Sequence, residues 1–225
     1  MKKYFPITCA LLALLLILSS CNTRHDANEA SVNDDDAFSI SQARDYYETL
    51  VTTRSQRFVE QYLCVSFTPL WDEARYSRAQ NIESVDVPIE KSTHFIIEKD
   101  KNFVKAPQRL TIIKDSYTGI ASSFLTTFIP DAKFMNSTNT DEYDPQAFET
   151  SGNKNNYSGL VIYTPTDSSE IVLVNVYKDG RKVDSANIFA ADAASRKQGS
   201  NKILKLLSGV YVYPYDGSVE LASSK

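Results

Sequence analysis

The first 21 residues constrain this chain more than any other stretch, because they decide which residues fold and in which compartment. Two lysines precede an apolar run at residues 10–18, and two serines lead into Cys21. A charged start, a short apolar core and a small-residue cleavage zone together form a secretory signal peptide. The apolar run is shorter than the roughly 20 residues that a membrane-spanning helix needs. We therefore expect residues 1–20 to be a signal peptide that contributes nothing to the fold.

The ending Leu18-Ser19-Ser20-Cys21 resembles the cleavage site of a bacterial lipoprotein with a type II signal peptide. That resemblance implies that Cys21 becomes the palmitate-bearing first residue of the mature protein, with the membrane as its partner. Several acyl chains make such an anchor durable, since each buried methylene contributes about 0.8 kcal/mol. Asn22, and not the aspartate of inner-membrane retention, follows the cysteine, so the outer membrane is the expected location. An ordinary secretory peptide that happens to contain a cysteine is the alternative.

Cleavage leaves roughly 200 residues, which is the length of one domain or at most two small ones. Of the 24 basic residues two lie in the leader, so 22 remain against 28 acidic residues. A mildly acidic chain without a basic cluster is a poor nucleic-acid binder, because phosphate contacts need clustered Lys and Arg. Cys64 is the one cysteine left for the folded part. No internal disulfide is therefore expected, and the domain relies on its apolar core.

Residues 21–37 are polar and acidic, and they lack apolar periodicity, so a disordered tether is expected there. The run Asp34–Asp36 resembles the acidic tag that sends some lipoproteins of Bacteroidetes-type bacteria to the cell surface. A plain solvated spacer is the alternative. Residues 38–225 are then expected to form a single domain.

That domain should begin with helices. Ser39 and Gln42 have the spacing of a capping box. Apolar residues including Ala43, Tyr47 and Val51 recur at helical spacing and continue to about residue 63, which predicts one buried stripe. A second, short helix is expected from Thr68-Pro69, since threonine can cap a helix and proline suits its first position.

From about residue 84 the pattern changes to strands. Asp179-Gly180 is the clearest local signal, because a type I′ hairpin turn needs positive φ at both central residues. Pro88 marks an edge strand. Residues 131–157 read as one long polar loop, and a short helix is expected at 190–196. The predicted strands cover residues 85–89, 93–99, 109–115, 120–129, 159–164, 170–178, 182–189, 202–207 and 210–213.

These elements predict an α+β fold, with N-terminal helices packed on a curved, mostly antiparallel β-sheet. The order of elements resembles cystatin-like and NTF2-like proteins, although the cystatin inhibitory motif Gln-x-Val-x-Gly is absent. The segments Pro69–Ala74, Val85–Ile89 and Tyr157–Tyr163 resemble lipoproteins of Bacteroidetes-type bacteria, a resemblance that implies no activity.

Catalytic patterns are sparse. The two histidines and the cysteines have no zinc-site spacing, and no nucleophile elbow or phosphate-binding glycine loop is present. Cys64 with His94 is the one cysteine–histidine pair available to the mature chain, and Cys64 lies in an apolar run typical of an inert core thiol. We therefore expect no enzyme activity, no metal and no cofactor.

Aromatic residues are the candidate binding groups. Trp71 can stack on a ligand or pack in the core. The alternation of Tyr211, Tyr213 and Tyr215 with smaller residues puts the tyrosines on one face of a strand, as a binding stripe or as ordinary surface. The predicted function is a non-catalytic envelope lipoprotein that binds a protein, a peptide or a glycan. The alternative is an envelope hydrolase that uses acidic residues in the concave sheet.

Overall fold

The computed structural model describes residues 38–53, 67–91, 95–99, 101–131, 134, 157–167, 170–189 and 192–214. The helices of this part are α1 (Ile40–Thr53) and α2 (Ala193–Leu206). Its strands, in chain order, are β1 (Phe67–Pro69), β2 (Arg75–Ala79), β3 (Ile82–Lys91), β4 (Phe95–Lys99), β5 (Asn102–Lys105), β6 (Gln108–Asp115), β7 (Ala121–Pro130), β8 (Gly159–Pro165), β9 (Leu173–Lys178), β10 (Arg181–Asn187) and β11 (Val210–Pro214).

Two sheets contain these strands, and every pairing is antiparallel. The main sheet has eight strands in the order β1-β3-β6-β7-β8-β9-β10, with β2 also paired to β3. A smaller sheet has the order β11-β4-β5, so the hairpin inserted between β3 and β6 pairs with the C-terminal strand. The predicted α+β class with a mostly antiparallel sheet is confirmed.

Helix α1 starts where its sequence signals place it. Ser39 Oγ accepts from the Gln42 N–H at 3.1 Å, and the Gln42 side chain accepts from the Ser39 N–H at 3.1 Å, which confirms the capping box. Ala43 is fully buried in a cluster with Val85 and Leu110 of the main sheet. Val51, which was predicted to lie in the buried stripe, is 46% exposed.

Phe38, the first of the described residues, makes a buried contact with Glu83. The Phe38 N–H donates to Glu83 Oε1 at 3.0 Å, and the Phe38 ring is buried beneath the Lys114 ammonium. Tyr76 donates to the same carboxylate at 2.9 Å, and Ser116 donates at 3.0 Å. Burial alone would raise the pKa of Glu83, but these three hydrogen bonds hold it below its usual range.

The Asp179-Gly180 hairpin is confirmed, with φ of 49° and 75° at the two residues. It joins β9 to β10, and β9 is covered on both faces as expected of a central strand. Leu173 lies in the buried cluster on one face of the sheet, and Val174 lies in the cluster on the other.

Three predictions are wrong. Thr68 and Pro69 lie in β1, and the expected helix is replaced by one 3-10 turn at Trp71–Glu73. Lys202 to Leu206 is the last part of α2 and not a strand, because Asp192 caps a longer helix by accepting from the Ser195 N–H at 2.8 Å. β3 with its Pro88 is not an edge strand, since it has partners on both sides.

Several predictions fall outside the described residues. These are the signal peptide at 1–20, the tether at 21–37, the extension of the first helix to residue 63 and most of the 131–157 loop. Cys64 and His94 lie outside them as well. Among the described helices, none has the length and apolarity required to span a bilayer.

Candidate functional site

A bulge on the outer side of β3 forms the candidate site. β1 pairs with β3 at Pro69 opposite Ile89, and β2 pairs with β3 at Arg75 opposite Asp86. Five residues, 70–74, therefore lie opposite only two residues of β3, Val87 and Pro88. The extra residues leave the sheet and form the 3-10 turn.

Pro88 explains why the chain leaves the sheet at this point. The N–H and C=O of one residue in an antiparallel strand point to the same side. The Pro88 carbonyl accepts from the Leu70 N–H at 2.8 Å, so its nitrogen also faces the bulge, and proline has no N–H to donate. A regular ladder cannot continue past this residue, which makes room for a bulge.

The bulge leaves a cleft of about 530 Å³. Asp72, Glu73 and Ala74 line it from the turn, and Arg75 follows at the start of β2. Pro88 and Arg109 complete the lining from β3 and β6, where they are directly opposed. Arg109 is 5% exposed, whereas Asp72, Glu73 and Arg75 are exposed at the rim. The lining residues thus include two with carboxylate side chains and two with guanidinium side chains.

A buried polar chain lies beside the cleft on the same face of the sheet. Thr126 donates to Thr111 at 2.9 Å, and Thr111 donates to Asp86 Oδ1 at 2.8 Å. Ser84 and Ser77 continue the polar chain to β2, with their hydroxyls 3.0 Å apart. Buried polar groups cost free energy unless they are hydrogen-bonded, and these side chains bond one another across four strands. The result is a hydrogen-bonded polar surface on the sheet next to Arg109.

This arrangement suits binding better than bond cleavage. Ionised carboxylates only accept hydrogen bonds and guanidinium groups only donate them, so the cleft offers both kinds of partner to a ligand. Asp72 and Glu73 are consecutive residues of one turn. A glycosidase, by contrast, places its two carboxyl groups on either side of the bond that it cleaves. Among the described residues there is no group of three or more side chains suited to hold a metal ion.

Trp71 precedes the cleft residue Asp72 in the chain but does not line the cleft. Its ring is half-buried against α1, with its centroid 6.1 Å from that of Tyr47, in the cluster that contains Ala43. Burial in this cluster raises the pKa of Tyr47 to about 12. The packing of Trp71 matches the core alternative, and the neighbouring carboxylates line the cleft instead.

The tyrosines of β11 lie on the smaller sheet, away from the strands that form the cleft. Tyr211 is 58% exposed and pairs with Glu98, while Val210 packs against the buried cluster that contains Ile97. Tyr213 pairs with Ile96 in the register of β11, and Tyr215 lies outside the described residues. The structure does not bring Trp71 and Tyr211 together in one site.

The sequence analysis missed the cleft residues Asp72, Glu73, Arg75 and Arg109. Pro88 was the available signal, since a proline within a strand marks a position where the neighbouring ladder is interrupted. Pairing of β1 and β2 with the same strand, which a single sequence does not reveal, was also needed to find it.

Comparison of the chain with models of known protein families, with curated proteins and with solved structures found no match.

Proposed function

We propose that this chain is a lipoprotein of the bacterial envelope, anchored by acyl chains on Cys21, and that it acts as a non-catalytic binding module. The charged start, short apolar run and Leu18-Ser19-Ser20-Cys21 ending support the anchor. Asn22 supports the outer membrane as its location. The acidic run Asp34–Asp36 supports display at the cell surface. No nucleic acid is a partner in this proposal, because the mature chain is acidic.

The proposed fold is a layer of helices on one face of a curved sheet, as in cystatin-like or NTF2-like proteins. The packing of α1 against β3 and β6 through Ala43, Val85 and Leu110 supports this layout. Such sheets present their remaining surfaces and loops to ligands.

The cleft beside Pro88 is the observation that carries the binding function. Its rim is exposed to solvent, and the buried Arg109 adds a basic residue to its lining. In a concave site, a small number of polar groups at defined positions fix the orientation of a small ligand. Asp72 and Glu73 are adjacent in the same turn, which favours binding over the hydrolase alternative.

Replacement of the lipidated cysteine tests the anchor. We expect Cys21→Ala to abolish labelling with radioactive palmitate and to shift the protein from the membrane to the soluble fraction. Labelling that persists in the variant would falsify the lipid anchor.

Capture from an envelope extract tests the binding function. Full-length protein in detergent should retain a discrete component that the double variant Glu73→Gln, Arg75→Gln loses. The matched control is Glu90→Gln, Arg181→Gln, which changes the same two residue types at exposed positions outside the cleft. Equal capture by both double variants would remove the cleft from the function. Turnover of a glycoside or ester by the wild type, lost in the cleft variant, would favour the hydrolase.

A further inference from the structure

The donors and acceptors of the cleft define what kind of ligand it takes, if the proposed binding function holds. Asp72 and Glu73 accept hydrogen bonds, and Arg75 and Arg109 donate them. A ligand that satisfies both kinds of group must donate and accept at closely spaced positions. Neighbouring hydroxyl groups do this, because each has one hydrogen to donate and two lone pairs to accept with.

Charge favours a neutral ligand. The two carboxylates and two guanidinium groups of the lining cancel in formal charge. A phosphate would meet two carboxylates at the rim, and a polycation would meet the guanidinium groups, so each is opposed by half of the lining. Asp86, which lies beside the cleft, accepts a hydrogen bond from Thr111. A further carboxylate at this position does not favour an anionic ligand.

The bulge beside Pro88 disfavours an extended peptide as the ligand of the cleft. A peptide that adds a strand needs unpaired backbone N–H and C=O groups along the edge. At the cleft, Pro88 has no N–H, and its carbonyl already accepts from Leu70. Recognition must therefore come from side chains, which suits a ligand with polar groups around its rim.

The size of the cleft fits one or two sugar rings. Its volume of about 530 Å³ lies within the range of about 300–1,000 Å³ of small-molecule sites. Trp71 packs on Tyr47 and does not line the cleft. The described lining therefore binds the hydroxyl edges of a ligand and offers no aromatic platform for its faces.

We propose that the cleft formed by Asp72, Glu73, Arg75 and Arg109 is a carbohydrate site that takes a neutral, hydroxyl-bearing sugar unit of a glycan. The carboxylates accept from the sugar hydroxyls, and the guanidinium groups donate to them. This inference depends on the binding function proposed above and adds the class of ligand to it.

Titration calorimetry with full-length protein in detergent tests the carbohydrate site. The probes are the neutral disaccharides maltose, lactose and chitobiose, with trialanine and inorganic phosphate for comparison. We expect binding of at least one disaccharide that the double variant Glu73→Gln, Arg75→Gln weakens about tenfold or more, since it removes charge-assisted hydrogen bonds to the ligand. Glu90→Gln, Arg181→Gln should bind like the wild type. Matching thermal unfolding of the variants, whose changed residues are exposed, excludes misfolding as the cause.

The outcomes separate the ligand class from the binding function. Absence of disaccharide binding, or binding that the cleft variant retains, overturns the carbohydrate site. Binding of trialanine or phosphate that the cleft variant loses overturns it as well, but keeps the cleft as a binding site. The capture experiment on the same preparations reports independently on the binding function.

Discussion

One face of the main sheet is divided into two halves that are equally buried and chemically opposite. The aromatic half, over β7, β8 and β9, contains Phe124, Phe128, Tyr157, Tyr163 and Tyr177. The polar half, over β3, β6 and β7, contains Ser84, Asp86, Arg109, Thr111 and Thr126. Phe128 is 1% exposed and Thr111 is 3% exposed, so burial does not distinguish them.

The difference teaches that the two halves stabilise the fold in different ways. Aromatic side chains gain free energy in proportion to the apolar area that they remove from water. Hydroxyl and carboxylate groups gain little net free energy, and they become costly when a partner is removed. We infer that the aromatic half supplies most of the stability, and that the polar half fixes the geometry of the adjoining cleft.

The largest expected effect is in the aromatic half. Phe128→Ala should lower the free energy of unfolding by about 3–5 kcal/mol, because it leaves a cavity beneath Tyr157, whose ring centroid is 6.2 Å away. Urea denaturation measures the change. A loss below about 1 kcal/mol would contradict the division of roles between the halves.

A substitution at Gly159 tests the aromatic half through a backbone contact. Its φ is 149°, and a Cβ at this position would lie 2.2 Å from the Ile129 carbonyl oxygen and 2.8 Å from the Tyr157 hydroxyl. Gly159→Ala should therefore cost about 2–3 kcal/mol in thermal or urea unfolding. Gly119→Ala is the control, because Gly119 also has positive φ, but a Cβ there would meet nothing within 4 Å beyond its chain neighbours. It should cost about 1 kcal/mol. Equal costs would show that the close approach is unimportant.

Thr111 tests the polar half. Thr111→Val keeps the shape but removes the donor to Asp86 and the acceptor for Thr126, so it should cost about 1–2 kcal/mol. Thr126→Val removes one donor and leaves the bond to Asp86 in place, and should cost less. If Thr111→Val instead stabilises the protein, the polar chain is not needed to satisfy Asp86.

Glu83 has the smallest expected effect, and its effect depends on pH. Its folded pKa is lowered, so the ionised carboxylate stabilises the fold above the ordinary glutamate pKa of about 4.3, and this contribution is lost as pH falls through the folded pKa. Glu83→Gln should cost about 1 kcal/mol near neutral pH. Urea titrations from about pH 6 to about pH 3 should show the difference from wild type shrinking.

Tyr76→Phe sharpens this test, because it removes one of the three donors to Glu83 and keeps the carboxylate. Its pH profile should fall between those of the wild type and Glu83→Gln. A difference between wild type and Glu83→Gln that stays constant across the pH range would show that the Glu83 carboxylate is not the titrating group.

Local signals predicted the parts of the fold that depend on neighbouring residues. The capping box at Ser39 and the Asp179-Gly180 turn each act within four residues, and both are confirmed. β2 was not predicted, because Arg75–Ala79 has no apolar alternation and forms a strand by pairing with β3. The length of α2 was missed although its cap is local, because Asp192 was not recognised as the N-cap that accepts from the Ser195 N–H.

The candidate site was harder to predict than the fold. Pro88 was interpreted as the mark of an edge strand, and the sequence does not show that Asp72 and Arg109 line one cleft beside it. The aromatic residues drew attention because aromatic side chains dominate many binding surfaces. Here Trp71 is held by Tyr47, and charged residues line the concavity.

The hydrogen bond from Phe38 to Glu83 also decides how this domain responds to a pull. A pull on Phe38 would act on β3 through that bond and the buried ring, and β3 lies next to the outermost strands β1 and β2 of the main sheet. Pro88 is five residues further along the same strand, or roughly 16 Å at about 3.3 Å per residue. In the anchored state proposed above, rotation of the domain about Phe38 would move the cleft along an arc of that radius.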